Sequence, residues 1–221
     1  GEMDNGWNIT ASYEIESDQT STGNMDSRSI KIDMGDSGTL TFAGHGGSGA
    51  MSAIDDVMPT AYEESWDVIS GANVAPGGFG GNNMFNYTNS SLMDGVKITV
   101  GHLPSGGTTQ LESSTDFAIE YTGVENLTIG YGQGTDQRLA AEVEDTSAYI
   151  KYVAGSFTMG FQATEGDSET ASSDVEMSAY GISYAIDENT SISYGASEIQ
   201  KEGSADDQEA ASLGISYTMG S

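Results

Sequence analysis

The chain has 221 residues, with 34 Asp+Glu against 6 Lys+Arg and a formal net charge of −28. That balance excludes a duplex nucleic-acid binder, because phosphate contacts need clustered Lys and Arg. With no Cys and only His45 and His102, disulfide scaffolds, Cys-ligated zinc, cysteine nucleophiles and most His-built metal sites are excluded as well.

Hydrophobic residues make up 36%, low for one globular core, yet Tyr 11, Phe 6 and Trp 2 are too many for a disordered acidic chain. Gly, at 30 of 221 residues, is about twice as common as the usual ~7%. The longest uninterrupted apolar run is three residues, as in Phe117-Ala118-Ile119. A transmembrane helix needs ~20, whereas barrel strands reveal themselves only by alternation. The opening Gly1-Glu2-Met3-Asp4 carries no targeting segment, as expected of a mature chain or of one whose ends are missing.

Period-2 alternation begins at once. Ile9, Ala11, Tyr13 and Ile15 alternate with Thr10, Ser12, Glu14 and Glu16, the pattern of a strand with one apolar and one polar face. After a connector at 18–26, Ile30, Ile32 and Met34 alternate with Lys31 and Asp33. The tight turn Gly35-Asp36-Ser37-Gly38 leads to a third strand, and a connector spanning 46–82 follows. Beyond it the stripes Val96-Ile98-Val100, Phe117-Ile119-Tyr121, Leu127-Ile129-Tyr131, Ala148-Ile150-Tyr152, Phe157-Met159-Phe161 and Leu213-Ile215-Tyr217 repeat the theme. Short connectors at 35–38, 90–95, 122–126, 154–156 and 187–189 alternate with long ones at 18–26, 46–82, 104–114, 134–144, 165–174 and 200–208. The reading is an all-β antiparallel meander of roughly twelve strands of ~8–11 residues, the length that crosses a bilayer at a tilt. Its long loops gather at one end.

In a soluble sandwich the apolar face is inside; in a water-filled barrel it faces lipid and the polar face lines the lumen. Strand number, the many Gly, Ser and Thr on the polar face, and the Tyr positions favour an up-and-down transmembrane β-barrel. Tyr87, Tyr121, Tyr152, Tyr184 and Tyr217 all sit near the short-turn ends. A phenol places its ring in hydrocarbon and its hydroxyl among headgroups, giving an aromatic girdle; a plain strand preference of Tyr is the bland alternative.

The connector 46–82 is unusually long for one without a function. It opens with Gly46-Gly47-Ser48-Gly49 and closes with Pro76-Gly77-Gly78-Phe79-Gly80-Gly81. Between them lie Asp55, Asp56, Glu63, Glu64 and Asp67, with no Lys or Arg, beside Met51, Met58, Tyr62 and Trp66. The apolar members need somewhere to pack, so the expectation is a segment folded inward against the barrel wall. A solvated acidic surface loop is the alternative.

Ser29 through Gly44, followed by the acidic segment Asp55–Asp67, resembles the strand–turn–strand and constriction loop of Gram-negative general diffusion porins, in style those of alphaproteobacteria. Asn83-Met84-Phe85-Asn86-Tyr87-Thr88 and Gly95-Val96-Lys97-Ile98-Thr99-Val100 are similar to the strands that follow. The resemblance implies a sixteen-stranded homotrimeric channel of the outer membrane, in contact with lipid and lipopolysaccharide, passing small hydrophilic solutes. In that family the loop joins the fifth and sixth strands, so the twelve strands here would be the interior of a longer barrel; a closed twelve-stranded barrel is the rival. On this reading 1–221 is a single barrel domain. The acids Asp55, Asp56, Glu63, Glu64 and Asp67 form the constriction, Lys31, Lys97 and Lys151 the basic wall, and Glu14, Glu16, Asp33, Asp116 and Glu120 the acidic lumen. A mild cation preference follows, weakening with salt.

Each lysine also has a plainer role: Lys31 paired with Asp33, Lys97 at the exit, Lys151 solvated. No cofactor is expected. Asp206-Asp207 and Glu142/Glu144 offer carboxylates of the kind Ca²⁺ takes, without EF-hand spacing. A secreted or surface-layer β-rich adhesin is the second function class, and an enzyme built on Glu63-Glu64 the third.

Overall fold

The computed structural model describes residues 1–15, 25–68, 77–106, 112–137 and 141–219. Three strands come first, β1 (Asn8–Ile15), β2 (Met25–Asp33) and β3 (Thr39–His45), followed by the two-residue strands β4 (Gly47–Ser48) and β5 (Gly80–Gly81). Nine more complete the chain: β6 (Met84–Met93), β7 (Val96–Leu103), β8 (Ser114–Val124), β9 (Leu127–Asp136), β10 (Val143–Ala154), β11 (Phe157–Ser168), β12 (Val175–Ala185), β13 (Thr190–Lys201) and β14 (Gln208–Tyr217). Twelve of these form one antiparallel sheet in the order β1-β2-β3-β6 and on to β14, each paired to its neighbour in sequence. β4 and β5 pair with one another at the root of the long connector. This is the predicted meander, with three strands before the connector and nine after it. Among the described residues no helix is long and apolar enough to cross a membrane.

Turn chemistry sets the tight end. Gly95 has φ 71 and Asn126 has φ 63, left-handed values that the two-residue hairpins Asp94-Gly95 and Glu125-Asn126 require and that Gly and Asn tolerate. The loops at the other end are shorter than alternation predicted. β9 runs on to Asp136, β10 starts at Val143 and β11 continues to Ser168. Polar pairs such as Glu144↔Asp167 and Glu165↔Glu176 carry the ladder past the last apolar residue. The hydrophobic stripe ends before the hydrogen bonding does. The predicted connector 18–26 lies almost wholly outside the described residues, and β2 begins within it at Met25.

The sheet has one bare apolar face. Val100, Ile119, Ile129, Ile150 and Phe161 on the successive strands β7 to β11, and Tyr194 on β13, stand 38–49% exposed. So wide a continuous apolar surface needs an apolar surround. Ring pairs tile it: Phe42–Phe85 at 5.0 Å and Phe157–Tyr184 at 4.6 Å between centroids. The Val96/Ile98/Val100 stripe is therefore not enclosed between two sheets.

The opposite face is where the core lies. Met51, Ile54, Met58 and Trp66 of the connector are buried against Ala118, Tyr149, Met177, Ala179 and Ile199 of the sheet. Burying a Met or Ile side chain stabilises by ~1.5–3 kcal/mol, so this cluster holds the connector down. Among the described residues the sheet ends in β1 and β14, each hydrogen-bonded to one strand. With a neighbour on one side only, Leu213, Ile215 and Tyr217 of β14 are 84%, 71% and 68% exposed.

Candidate functional site

The connector follows a defined track. Its root is closed by the β4–β5 pair and by the Gly49 N–H donating to the Phe79 carbonyl at 2.8 Å. The Met51 N–H then donates to Asp116 Oδ2 of β8 at 2.9 Å. Met51 and Ile54 lie over Gly132 of β9, where a Cβ would stand 2.7 Å from each side chain. Gln162 Nε2 of β11 donates to the Ile54 carbonyl at 3.1 Å. Pro59 rests on Gly160 of β11 and Gly181 of β12, where a Cβ would come within 2.6 and 2.7 Å of it. The Ala61 N–H donates to Ser193 Oγ of β13 at 2.8 Å, and Ala61 and Tyr62 sit over Gly214 of β14. The glycines of the polar stripe are thus the seat of the connector. Backbone approaches backbone only where side chains are missing.

The seat carries the acids onto the polar face. Asp55 is half-buried, Glu64 is 8% exposed, and Asp56, Glu63 and Asp67 are at or near the surface. Carboxylate oxygens of Glu63, Glu64 and Asp67 lie within 4.8 Å of one another. Burial first, then the charges of Asp56, Asp67 and Asp145, raises Asp55 to about 6. Burial likewise raises Glu64 to about 7, with Asp56, Asp67 and Glu63 adding to it against a hydrogen bond from its own backbone. Asp56 is raised by burial and by Asp67. Asp55 and Glu64 therefore change charge around neutral pH, under the field of the acids beside them.

The wall residues divide. Lys97 Nζ lies 2.7 Å from Glu120 Oε1, and the Tyr149 hydroxyl donates to Glu120 Oε2 at 2.8 Å. Lys151 Nζ stands 6.0 Å from the Tyr149 ring centroid. Lys31 on β2 stands in register between Thr10 and Thr41. Asp33, its suggested partner, instead accepts the Gly35 N–H at 3.0 Å and caps the turn. Glu14 accepts from Ser27 Oγ at 3.1 Å. Glu16 lies outside the described residues.

Asp116, read from the sequence as a polar-face acid, lies beneath the connector. It is 3% exposed, because the connector root lies over it. Of the loop carboxylates of the kind Ca²⁺ takes, Glu142 accepts from the Gln137 amide and Glu144 from the Gln133 amide. The Tyr positions lie at the short-turn end of the apolar face, and the Tyr87 hydroxyl donates to the Ser37 carbonyl of the first turn at 2.8 Å. Two things escaped the sequence reading. Met177 and Ile199 are apolar residues on the polar phase, where they receive the connector. Asp145, 6% exposed, faces Asp55 from β10; its signal was its place in phase with Ser147, Tyr149 and Lys151.

The Lys97–Glu120 pair makes a prediction. Lys97→Met alone frees the Glu120 charge and should raise any cation preference, whereas Lys97→Met with Glu120→Gln should return it to the parent value. Reversal potentials across the four-member cycle check this. An unchanged reversal potential in Lys97→Met would mean that the pair lies outside the ion path.

The family model described as Gram-negative porin matches residues 1–221. No curated protein matches the sequence. Among solved structures, OmpF of Salmonella typhi in complex with daunomycin is similar at a TM-score of 0.73 and 11% identity, covering 97% of this chain and 74% of that one. OmpT, an outer membrane protein of Vibrio cholerae, gives 0.65 and 13%, covering 89% of this chain and 66% of that one. An anion-selective porin from Comamonas acidovorans gives 0.51 and 12%, covering 98% and 86%. At these identities the likeness to each structure is one of fold.

Proposed function

This chain belongs to the Gram-negative porin family, and from that membership we propose that it forms an outer-membrane channel through which small hydrophilic solutes and ions diffuse passively, with a mild cation preference. One observation carries the selectivity: the segment bearing Asp55, Asp56, Glu63, Glu64 and Asp67, with no Lys or Arg, lies on the polar face of the sheet. If that face encloses the bore, the segment is its constriction loop, and 46–82 is part of a single barrel domain. Lys31 and Lys151 supply positive charge to the wall, while Lys97 is offset by Glu120. Charges fixed at a narrow point select by field as well as by width. Cations gather at the acids, and polar solutes align across the gap.

The apolar face supports a lipid surround with the Tyr hydroxyls at its boundary, rather than a soluble adhesin. In hydrocarbon no sheet edge stays open, so β1 and β14 are completed either by further strands or by one another. Family membership supports a homotrimer in contact with lipopolysaccharide. Glu63 and Glu64 then serve as fixed charges rather than acid and base.

Planar-bilayer recording of the purified protein in a salt gradient tests the reading. Stepwise insertions in groups of three with a cation-leaning reversal potential are expected. Silence from well-inserted protein would overturn it.

A further inference from the structure

Asp116 is a carboxylate in the wrong kind of place for a wall residue. It is 3% exposed; Oδ2 accepts the Met51 N–H at 2.9 Å, and the backbone amides of Ala50 and Gly101 also lie against the carboxylate. A buried carboxylate without a cation is costly and persists only where its contacts require it. Its surroundings are built to admit it. Gly49 of the connector, Gly101 of β7 and Gly134 of β9 all close on its side chain. A Cβ at Gly101 would collide with Asp116 Oδ1 and stand 3.0 Å from the Ala50 amide nitrogen; one at Gly134 would reach 2.5 Å from Asp116 Cβ. Three elements thus leave out side chains around one carboxylate, and what that carboxylate holds is the first turn of the connector.

The rest of the connector is held differently. Met51, Ile54 and Met58 pack by shape, and Gln162 and Ser193 contribute neutral hydrogen bonds further along. A hydrogen bond to a charged acceptor is about twice as strong as a neutral one. It also fixes one atom, where apolar packing tolerates sliding.

We propose that Asp116 is the positioning residue that locks the root of the acidic connector to β8, and so fixes a single bore for the channel. This rests on the porin reading for its electrical consequence. The mechanical consequence, release of residues 49–68, does not depend on that reading. Trp66, 8% exposed in the seated connector, reports release as a chymotrypsin site.

The test uses the complete protein in three variants. Asp116→Ala removes the acceptor. Asp116→Asn keeps an oxygen able to accept the Met51 N–H. Gly101→Ser keeps the carboxylate but wedges a side chain between it and the root. Heat-dependent migration on a denaturing gel reads the barrel, chymotrypsin cleavage after Trp66 reads the connector, and single-channel current noise reads the bore. Expected are an intact barrel in all three, cleavage faster by ~10-fold in Asp116→Ala, the same direction in Gly101→Ser, and a smaller increase in Asp116→Asn, whose oxygen is a neutral acceptor. Flickering currents should accompany the first two. Parent-like cleavage in Asp116→Ala overturns the proposal. If that variant does not insert, Gly101→Ser decides: faster cleavage supports the lock, and parent-like cleavage removes it. Faster cleavage in protein that passes no current would keep the lock and discard the channel.

Discussion

Replacing Asp55, Asp56, Glu63, Glu64 and Asp67 together by Asn or Gln is expected to abolish the cation preference of the reconstituted protein. The permeability ratio of K⁺ to Cl⁻ should fall toward unity, a change on the order of 3- to 10-fold at low salt and less at high salt, where screening does the same work. The effect should be large because the acids are close together: Asp55, Asp56 and Glu64 are raised first by burial and then by the charges of their neighbours. They act as one field rather than five separate charges. The same coupling gives the pH dependence its sign. A carboxyl held at about 6, as Asp55 is, or about 7, as Glu64 is, becomes negative only above that value. Cation preference in the parent should therefore rise between about pH 5 and 8, and in the five-fold variant it should be flat over that range. Stability runs the other way. The folded state holds protons that the unfolded chain has released, so the seating contribution of these groups is full below their unfolded values and is lost as pH rises through 6 to 7. Connector cleavage should be slower at pH 5 than at pH 8. An unchanged reversal potential in the five-fold variant would place the segment outside the bore.

Filling the seat should do more damage than neutralising the cargo. Gly160→Leu with Gly181→Leu pushes against the ring and carbonyl of Pro59, where even a Cβ would come within 2.6 and 2.7 Å. Overpacking of this kind costs ~1–3 kcal/mol, and the backbone carbonyl cannot rotate away as a side-chain end can. The connector must lift toward the centre of the channel, so single-channel conductance should fall by roughly a factor of two. Gly195→Ala is the control. A Cβ there meets Ser212 Oγ at 3.4 Å and Ser65 Cβ at 3.6 Å, ordinary contacts, and conductance should match the parent. Equal conductance in all three proteins would mean that the glycine track does not set the bore.

The strands and their connection order were legible because period 2 is a local property: Phe157, Met159 and Phe161 declare a face without reference to anything distant. The acids of the candidate site were legible as a cluster, and Met51 and Trp66 announced that their segment must pack. Which wall residues remain free was not legible. Lys97 and Lys151 look alike in sequence, on strands of the same pattern, yet among the described residues only Lys97 meets a carboxylate. Asp116 and Glu120 share a face four residues apart; one lies beneath the connector root and the other pairs with a lysine.

The sequence by itself determined the alternation, the turns, the length of the acidic connector and its lack of compensating cations. Only the tertiary structure decided where that connector lies and which glycines it rests on. The Ile54 carbonyl meets Gln162 across 108 residues and the Ala61 amide meets Ser193 across 132. Contacts at such separations depend on the curvature and register of the whole sheet, which no single strand encodes. Side-chain alternation can say that a strand has two faces, but what each face touches is settled by elements far away in the chain.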